Sequence, residues 1–304
     1  MKLSRITRSG FAVLAVAMAV SLSGWQTAAA AEKKAPAKHF LWVVKSKTAT
    51  VYLLGSVHVA KKEIYPLDAV INSAFKKSDT LVLEIPMNAK TQAEAGAKLL
   101  AAARYGAGDS LDKHLSAAVN KQLNAYLATQ MIPQGAFNQF RPWMVSIALT
   151  MQVLQKSGFK AEHGIDQHFF KRATGKKNVL GLETVDDQVN MFKGLTDLVQ
   201  AKMLKQTLDE IDTTSKTISK TFAAWKTGDA KALDDMMLKP MRAKEFRTLY
   251  KALFIDRNIK MTKKIEGFLK TKSTYFVVVG SGHLVGERGI VDLLRKAKHK
   301  VNQL

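Results

Sequence analysis

Short, nearly unbroken apolar runs lie towards the two ends of this chain, and long stretches of fourfold apolar spacing lie between them. "HFLWVVKS" (39–46) and "ATVYLLGSVH" (49–58) are rich in β-branched and aromatic residues and meet at a Ser/Lys/Thr turn, which predicts two strands. "DTLVLEIP" (79–86) is apolar at consecutive rather than alternate positions, the pattern of a strand covered on both faces. "NVLGLET" (178–184) and "STYFVVVGSGH" (273–283) predict a fourth and a fifth strand. In the middle, Leu115, Val119, Leu123 and Leu127 form one apolar stripe of a helix. "RPWMVSIALTMQVLQKSG" (141–158) has Pro142 in its first turn, Gly158 past its end and apolar residues around nearly its whole circumference, as a buried helix does. Gln188 to Gln206, Ala230 to Leu238, Lys244 to Leu269 and Gly289 to Lys298 complete the helical reading. Strands at both ends with helices between predict one α/β (mixed α+β) domain. Its central sheet is completed by the N- and C-terminal segments, and it carries a large helical insertion at about 88–176 and 187–270.

The first residues stand outside that domain. Lys2, Arg5 and Arg8 precede an apolar stretch from Phe11 to Leu22, and small residues follow at Ala28 to Ala31, the order of a secretory signal peptide. The apolar stretch is shorter than the roughly 20 residues that span a bilayer. The expectation is therefore a signal peptide at 1–31 cleaved near Ala30 or Ala31, a linker at 32–39 ("EKKAPAKH"), a domain at 40–304, and export, most simply to a periplasm. With no cysteine there is neither a disulfide nor a lipid-attachment site.

Charge narrows the partners. Lys and Arg number 47 against 25 Asp and Glu, a formal +22, which favours loose association with anionic envelope surfaces. The lysines are scattered, as in "KKSDT" and "LRKAKHK", without interleaved aromatic residues for base stacking, and this argues against nucleic acid.

Chemistry enters with an echo. "GSVH" (55–58) and "GSGH" (280–283) each follow an apolar strand, in a chain with only seven histidines. A glycine there lets backbone approach a ligand closely, so Gly55 and Gly280 are candidate support positions. Each His sits at the C-terminal edge of the sheet, where open α/β folds bind ligands. Facing imidazoles suit metal binding or proton transfer, although a lone His after a strand is more often structural. Glu84, ending the buried run "LVLEIP", is the candidate third group, since a carboxylate is costly to bury unless a cation or donor pairs with it. "GSGHLVGERG" also contains a glycine spacing faintly like a dinucleotide fingerprint, but that fingerprint needs a following strand and an acidic residue about 20 residues on, and the chain stops 15 residues after Gly289.

With "LLGSVHV" (53–59), "LVLEI" (81–85), "RPW" (141–143), "GIDQHF" (164–169), "GLETVDDQ" (181–188), the "WKTGD…L" stretch (225–233), "RN" (257–258) and "GSGHLVGERGIVDLL" (280–294) in this order, the chain resembles the TraB/PrgY/GumN family. That family groups with the animal TIKI proteins and, more distantly, with erythromycin esterase and the haem-binding ChaN proteins, whose fold the resemblance implies. It also implies an active centre of His58, His283 and Glu84, supported by Arg257 and Asn258. Arg141, Asp166, Glu183 and Gln188 match further family positions without an assigned role, and salt bridges or helix caps are their plainer reading. Animal members imply a manganese- or cobalt-dependent membrane protease, and the PrgY branch the blocking of a peptide pheromone.

The resulting expectation is an exported metal-dependent hydrolase, foremost a peptidase, acting on a peptide or a small ester or amide. His58, His283 and Glu84 would hold manganese, cobalt or zinc, with Glu84 either ligand or base, and Arg257 or Asn258 would stabilise an oxyanion. His163 and His168 are spare ligands or surface residues. A competing expectation is a protein without turnover that captures peptide or haem between the same histidines; a third has a degenerate site and acts through its basic surface.

Overall fold

The consecutive apolar runs form the middle of a six-stranded sheet. The structure, a computed structural model, describes residues 38–304; the expected signal peptide with its cleavage point, and linker residues 32–37, lie outside the described residues. The strands are β1 (Leu41–Lys45), β2 (Thr50–Ser56), β3 (Thr80–Leu83), β4 (Asn178–Gly181), β5 (Thr274–Gly280) and β6 (Val301–Gln303), in the spatial order β4-β3-β5-β2-β1-β6. β4, β3, β5 and β2 are parallel to one another, and β1 runs antiparallel to both β2 and β6.

Burial follows position. All four residues of β3 are buried, as is β5 from Tyr275 to Gly280, because helices cover both faces there. β4, at the edge, alternates exposed and half-buried positions. The sixth strand was not foreseen: it is three residues long and buries only Val301, too little for a periodicity signal.

In chain order the helices are α1 (Ala69–Lys77), between β2 and β3; α2 (Ala89–Ala103), α3 (Ala117–Thr129), α4 (Pro142–Lys156) and α5 (Ile165–Ala173), between β3 and β4; α6 (Val185–Lys193), α7 (Asp197–Glu210), α8 (Thr214–Lys226), α9 (Ala230–Met237), α10 (Arg247–Tyr250) and α11 (Asp256–Phe268), between β4 and β5; and α12 (Ser281–Leu284) and α13 (Ile290–Lys296), before β6. Leu123, Leu127, Val145, Leu149, Leu204 and Leu208, from α3, α4 and α7, form a second apolar cluster apart from the main core around the sheet.

Two expected helices are interrupted. The span 188–206 breaks after α6 at Gly194, and Thr196 then caps α7 by accepting a hydrogen bond from the Val199 N–H. The span 244–269 is a 3₁₀ turn, α10, a π-helical turn at Lys251–Ile255, and then α11. That π turn directly precedes Arg257 and Asn258, and such widened turns recur where side chains must be re-aimed at functional positions.

Because β2, β3 and β5 are parallel neighbours, their C-terminal ends lie on one edge. The residues that follow them, Val57 and His58, Glu84, and Ser281 to His283, are thereby gathered without any long-range loop excursion.

Candidate functional site

The first corner is built on Asp166, in the first turn of α5. One carboxylate oxygen, Oδ2, lies 2.8 Å from His58 Nδ1, and the other accepts from Ser56 Oγ at 2.7 Å. The Val57 carbonyl accepts the Ile165 N–H at 3.0 Å, which fastens the loop carrying His58 to the start of α5. With Nδ1 engaged by Asp166, the His58 Nε2 faces Glu84 Oε1 at 4.0 Å. The Asp166 charge raises the His58 imidazole to about 9. Its side chain is 46% exposed, so this is the solvent-facing member of the site.

The second corner is closed. His283, in α12, is 4% exposed. Its Nδ1 meets Asn258 Oδ1 at 2.6 Å, and Asn258 Nδ2 donates to the Arg288 carbonyl at 2.9 Å, so the amide's orientation is fixed and Nδ1 is the protonated nitrogen. The Nε2 lone pair is then turned inward, 3.8 Å from Glu84 Oε1. Burial first, and the Arg257 charge second, lower His283 to about 3, so it is neutral. The Phe254 ring packs against it with centroids 5.1 Å apart.

Glu84 joins the corners. It lies one residue beyond β3 and is 9% exposed. Oε1 accepts the Gly280 N–H at 2.7 Å, and Oε2 accepts from Arg257 Nη2 at 2.6 Å. Burial opposes its charge, but the Arg257 guanidinium, His58 and the Gly280 N–H prevail and hold the carboxyl far below the usual range. Arg257 in turn grips Glu183, with Nε to Oε1 at 2.8 Å and Nη2 to Oε2 at 2.6 Å, a bidentate pair. Gln188 Nε2 adds weaker bonds to Glu183 and Glu84 at 3.2 and 3.4 Å.

The glycines are explained by space. A Cβ on Gly280 would lie 3.3 Å from Glu84 Oε1, 3.5 Å from His58 Nε2 and 3.6 Å from His283 Cδ2, so it would point into the middle of the three groups. A Cβ on Gly55 would collide with the Phe40 ring.

Asp166, Glu183 and Gln188 thus join the three principal candidates. Arg141 does not: it lies over the Tyr105 ring and 3.6 Å from Asp197 on α7. The expected oxyanion role of Arg257 and Asn258 meets a different arrangement, because the guanidinium is committed to two carboxylates and the amide to His283 and a carbonyl. Both act on the site through their partners. His168 stacks on Tyr65 and contacts Arg172, away from this edge, and burial lowers it to about 4. Ser56 escaped the sequence reading although it belongs to the first GSxH motif; its hydroxyl anchors Asp166.

A cavity of about 350 Å³ opens beside His58, Glu84 and Asp166, with Ile85, Met87 and Ala95 on its apolar wall. His283 does not line it.

Whether a divalent ion fits is a question of donors and spacing. Both imidazoles hold their Nδ1 in outer hydrogen bonds and aim Nε2 inward, the arrangement that orients metal-binding histidines. Among the described residues, however, no group of three or more His, Asp or Glu stands at metal-binding spacing. The Nε2 to Oε1 separations of 3.8 and 4.0 Å exceed the roughly 3.0–3.5 Å that bonds of about 2.1 Å would give. The donor chemistry fits, and an inward movement of about half an ångström would complete the shell.

Comparison with known proteins agrees with this gathering of motifs. The TraB/PrgY/gumN family profile matches residues 40–303. The chain is 24% identical over 245 residues to the uncharacterized protein YbaP of Escherichia coli K12, covering 80% of this chain and 87% of that one. It is 23% identical to a protein of Amphimedon queenslandica named Metalloprotease TIKI homolog, covering 87% of this chain and 61% of the relative. An uncharacterized protein of Treponema pallidum is 18% identical over 274 residues, covering 86% of this chain and 81% of its own length. No solved structure gives a significant match.

Proposed function

The chain belongs to the TraB/PrgY/gumN family, and on that premise we propose that it is an exported metal-dependent hydrolase, most specifically a peptidase, working at the sheet edge between His58, Glu84 and His283. The observation that carries this reading is the convergence of two imidazole Nε2 atoms on one carboxylate oxygen, at 4.0 and 3.8 Å. The likeness to a protein named as a metalloprotease supports it. Export rests on the charged, apolar and small-residue order of the first residues.

His58, His283 and Glu84 would hold the ion. A divalent cation there would supply Lewis-acid polarisation of the scissile carbonyl and a water acidified towards neutrality. Asp166 fixes His58, and Asn258 fixes His283, so neither ring has to be ordered when substrate arrives. Glu84, charged and clamped by Arg257 and the Gly280 N–H, is too weakly basic to serve as the general base at neutral pH, so the ligand role suits it better. The apolar wall of Ile85, Met87 and Ala95 would receive a substrate side chain.

Haem capture suits the geometry less well. A tetrapyrrole bound between the two imidazoles would need both on one cavity, whereas His283 lies behind Glu84, off the cavity wall.

The test is elemental analysis of the protein, dialysed against mixed divalent metals, beside its His58→Ala/His283→Ala variant. Stoichiometric metal in the first and none in the second is expected. Equal metal in both, or none in either, would overturn the reading. Because a cation must displace the proton that His58 holds below about pH 9, affinity should rise with pH up to that point.

A further inference from the structure

The sheet has a second edge, opposite the one that gathers the histidines. β6 is antiparallel to β1, and β1 to β2, so β6 runs with the parallel strands, and β2 to β6 all begin where β1 ends. The register keeps these ends level: Lys45 lies opposite Thr50, Thr50 opposite Thr274, Thr80 opposite both Asn178 and Tyr275, and Val44 opposite Val301. Strands about 4.8 Å apart make the row about 24 Å long. Bonds between the turns tie it together: Thr48 Oγ1 donates to the Thr271 carbonyl at 2.6 Å, and the Thr274 N–H to Asp79 Oδ2 at 2.9 Å.

Each connection that crosses this edge carries two lysines. The β1–β2 turn has Lys45 and Lys47, and the passage from α1 to β3 has Lys76 and Lys77. Entry into β4 passes Lys176 and Lys177, entry into β5 Lys270 and Lys272, and entry into β6 Lys298 and Lys300. Lys177 is half-buried and donates to the Ser78 carbonyl; the others are exposed. None of those exposed lysines pairs with a carboxylate among the described residues, whereas Lys260 and Lys296 pair with Asp187 and Asp292. Asp79 is the one carboxylate in these connections, and Glu266, near the end of α11, faces His299 at 3.2 Å. Lysines at the end of α1 complement its dipole. Lys45, Lys47, Lys272 and Lys300 stand on strand ends and turns, where no helix terminus accounts for them.

The geometry points to this level edge as an electrostatic docking face for a bilayer surface rich in anionic lipid. Total charge says only that anions are attracted; the placement of the lysines says where. Lys76 and Lys77, ending α1, and Lys298, past the end of α13, lie off the strand row and give the array breadth, which suits a plane of headgroups better than a single polyanion strand. The connections hold no Phe, Tyr or Trp to stack on bases and no exposed bulky apolar side chain to enter lipid, so attachment is peripheral and weakens with salt. β2 and β5 each run 7 residues from this edge towards the histidines. That is a rise of about 23 Å, so docking holds His58, Glu84 and His283 on the side away from the lipid. The inference rests on neither metal nor hydrolysis.

The test is co-sedimentation of the full chain with vesicles of phosphatidylglycerol and phosphatidylcholine in equal parts, beside vesicles of phosphatidylcholine alone. Binding to the mixed vesicles should be tighter by about tenfold or more and should be lost at high salt. Lys45→Glu/Lys47→Glu/Lys272→Glu/Lys300→Glu should weaken it by about a hundredfold or more, and the same four positions changed to Gln by about tenfold or more, which keeps the test decisive if charge reversal unfolds the chain. Lys121→Glu/Lys202→Glu/Lys216→Glu/Lys220→Glu, on exposed positions of α3, α7 and α8, makes the same change in net charge and should stay within about threefold. Orientation is read from a dye on a single cysteine introduced into this cysteine-free chain. Lipid carrying a nitroxide headgroup should quench the dye at Lys176→Cys but not at Lys90→Cys, in the first turn of α2 beside the opposite edge. Equal binding to neutral vesicles, equal loss in the two reversed sets, or equal quenching at the two cysteines would each overturn the inference. So would binding of dextran sulfate through the same lysines without binding of vesicles, which would make a linear polyanion the partner.

Discussion

β2 and β5 are parallel neighbours that both end in Gly-Ser-x-His, yet their histidines live in opposite conditions. The side chain of His58 is 46% exposed and bonded to a carboxylate, while that of His283 is 5% exposed and bonded to an amide. One is raised to about 9 and the other lowered to about 3. The repeat fixes where an imidazole sits at the sheet edge; the partner of its Nδ1, supplied by a different helix each time, fixes what charge it carries. The two corners are not symmetric in register either, since Ser56 is paired with Gly280 rather than with Ser281.

The strongest way to break this contrast is to remove the cation between the corners. Arg257→Met leaves Glu84 and Glu183 buried without their counter-charge, and urea unfolding should show a loss of about 3–5 kcal/mol. His283 should titrate higher in that variant, because the second largest of the influences that hold it low is gone.

Exchanging the Nδ1 partners sharpens the contrast. In Asp166→Asn, the His58 resonance followed by NMR should titrate well below about 9. In Asn258→Asp, the His283 resonance should titrate well above about 3, and the span between the two histidines should close by about 2 units or more, worth about 3 kcal/mol. A carboxylate opposite His283 that left its titration unmoved would show that burial alone sets it.

The corners also predict opposite pH trends in stability. His283 is lowered, so between pH 6.5 and 3 the unfolded chain takes up a proton that the folded one refuses, and stability falls as pH falls through that window. From pH 6.5 to 4.5 this should cost about 2 kcal/mol, read as the difference between the wild type and His283→Leu in urea. His58 is raised, so its contribution is complete below pH 6.5 and is lost as pH rises through about 9. Its exposure screens the Asp166 interaction, and the alkaline loss should stay below about 1 kcal/mol. Of similar size, Ser56→Ala removes one bond to Asp166 and should cost about 1 kcal/mol, leaving His58 still raised.

The sequence revealed the sheet and both histidines because consecutive apolar runs and a repeated tetrapeptide are strong local signals. It also gave Glu84, from the cost of ending a buried strand with a charge. The network around them was harder to see. Asp166, Glu183 and Gln188 act through partners 74 to 110 residues away, and nothing in a local pattern reports such a meeting. Arg257 and Asn258 lie against Glu84 and His283, and the oxyanion role expected of them meets groups already bonded to those partners, which a sequence pattern does not display. Gly194 and the Thr196 cap were readable signs of the break between α6 and α7, whereas the π turn before α11 has no comparable signature.

The pairing of β2 with β5 also bears on when the protein can act. Ser281 Oγ reaches back to the Ser56 carbonyl across 225 positions, and His283 follows His58 by the same interval. During synthesis, His58, Glu84 and the rest of the edge emerge long before their last member, and so remote a contact closes late in folding. A chain cut before β5 would therefore hold an open half-site, and the convergence of the three groups requires translation through His283 and closure of the β2–β5 pair.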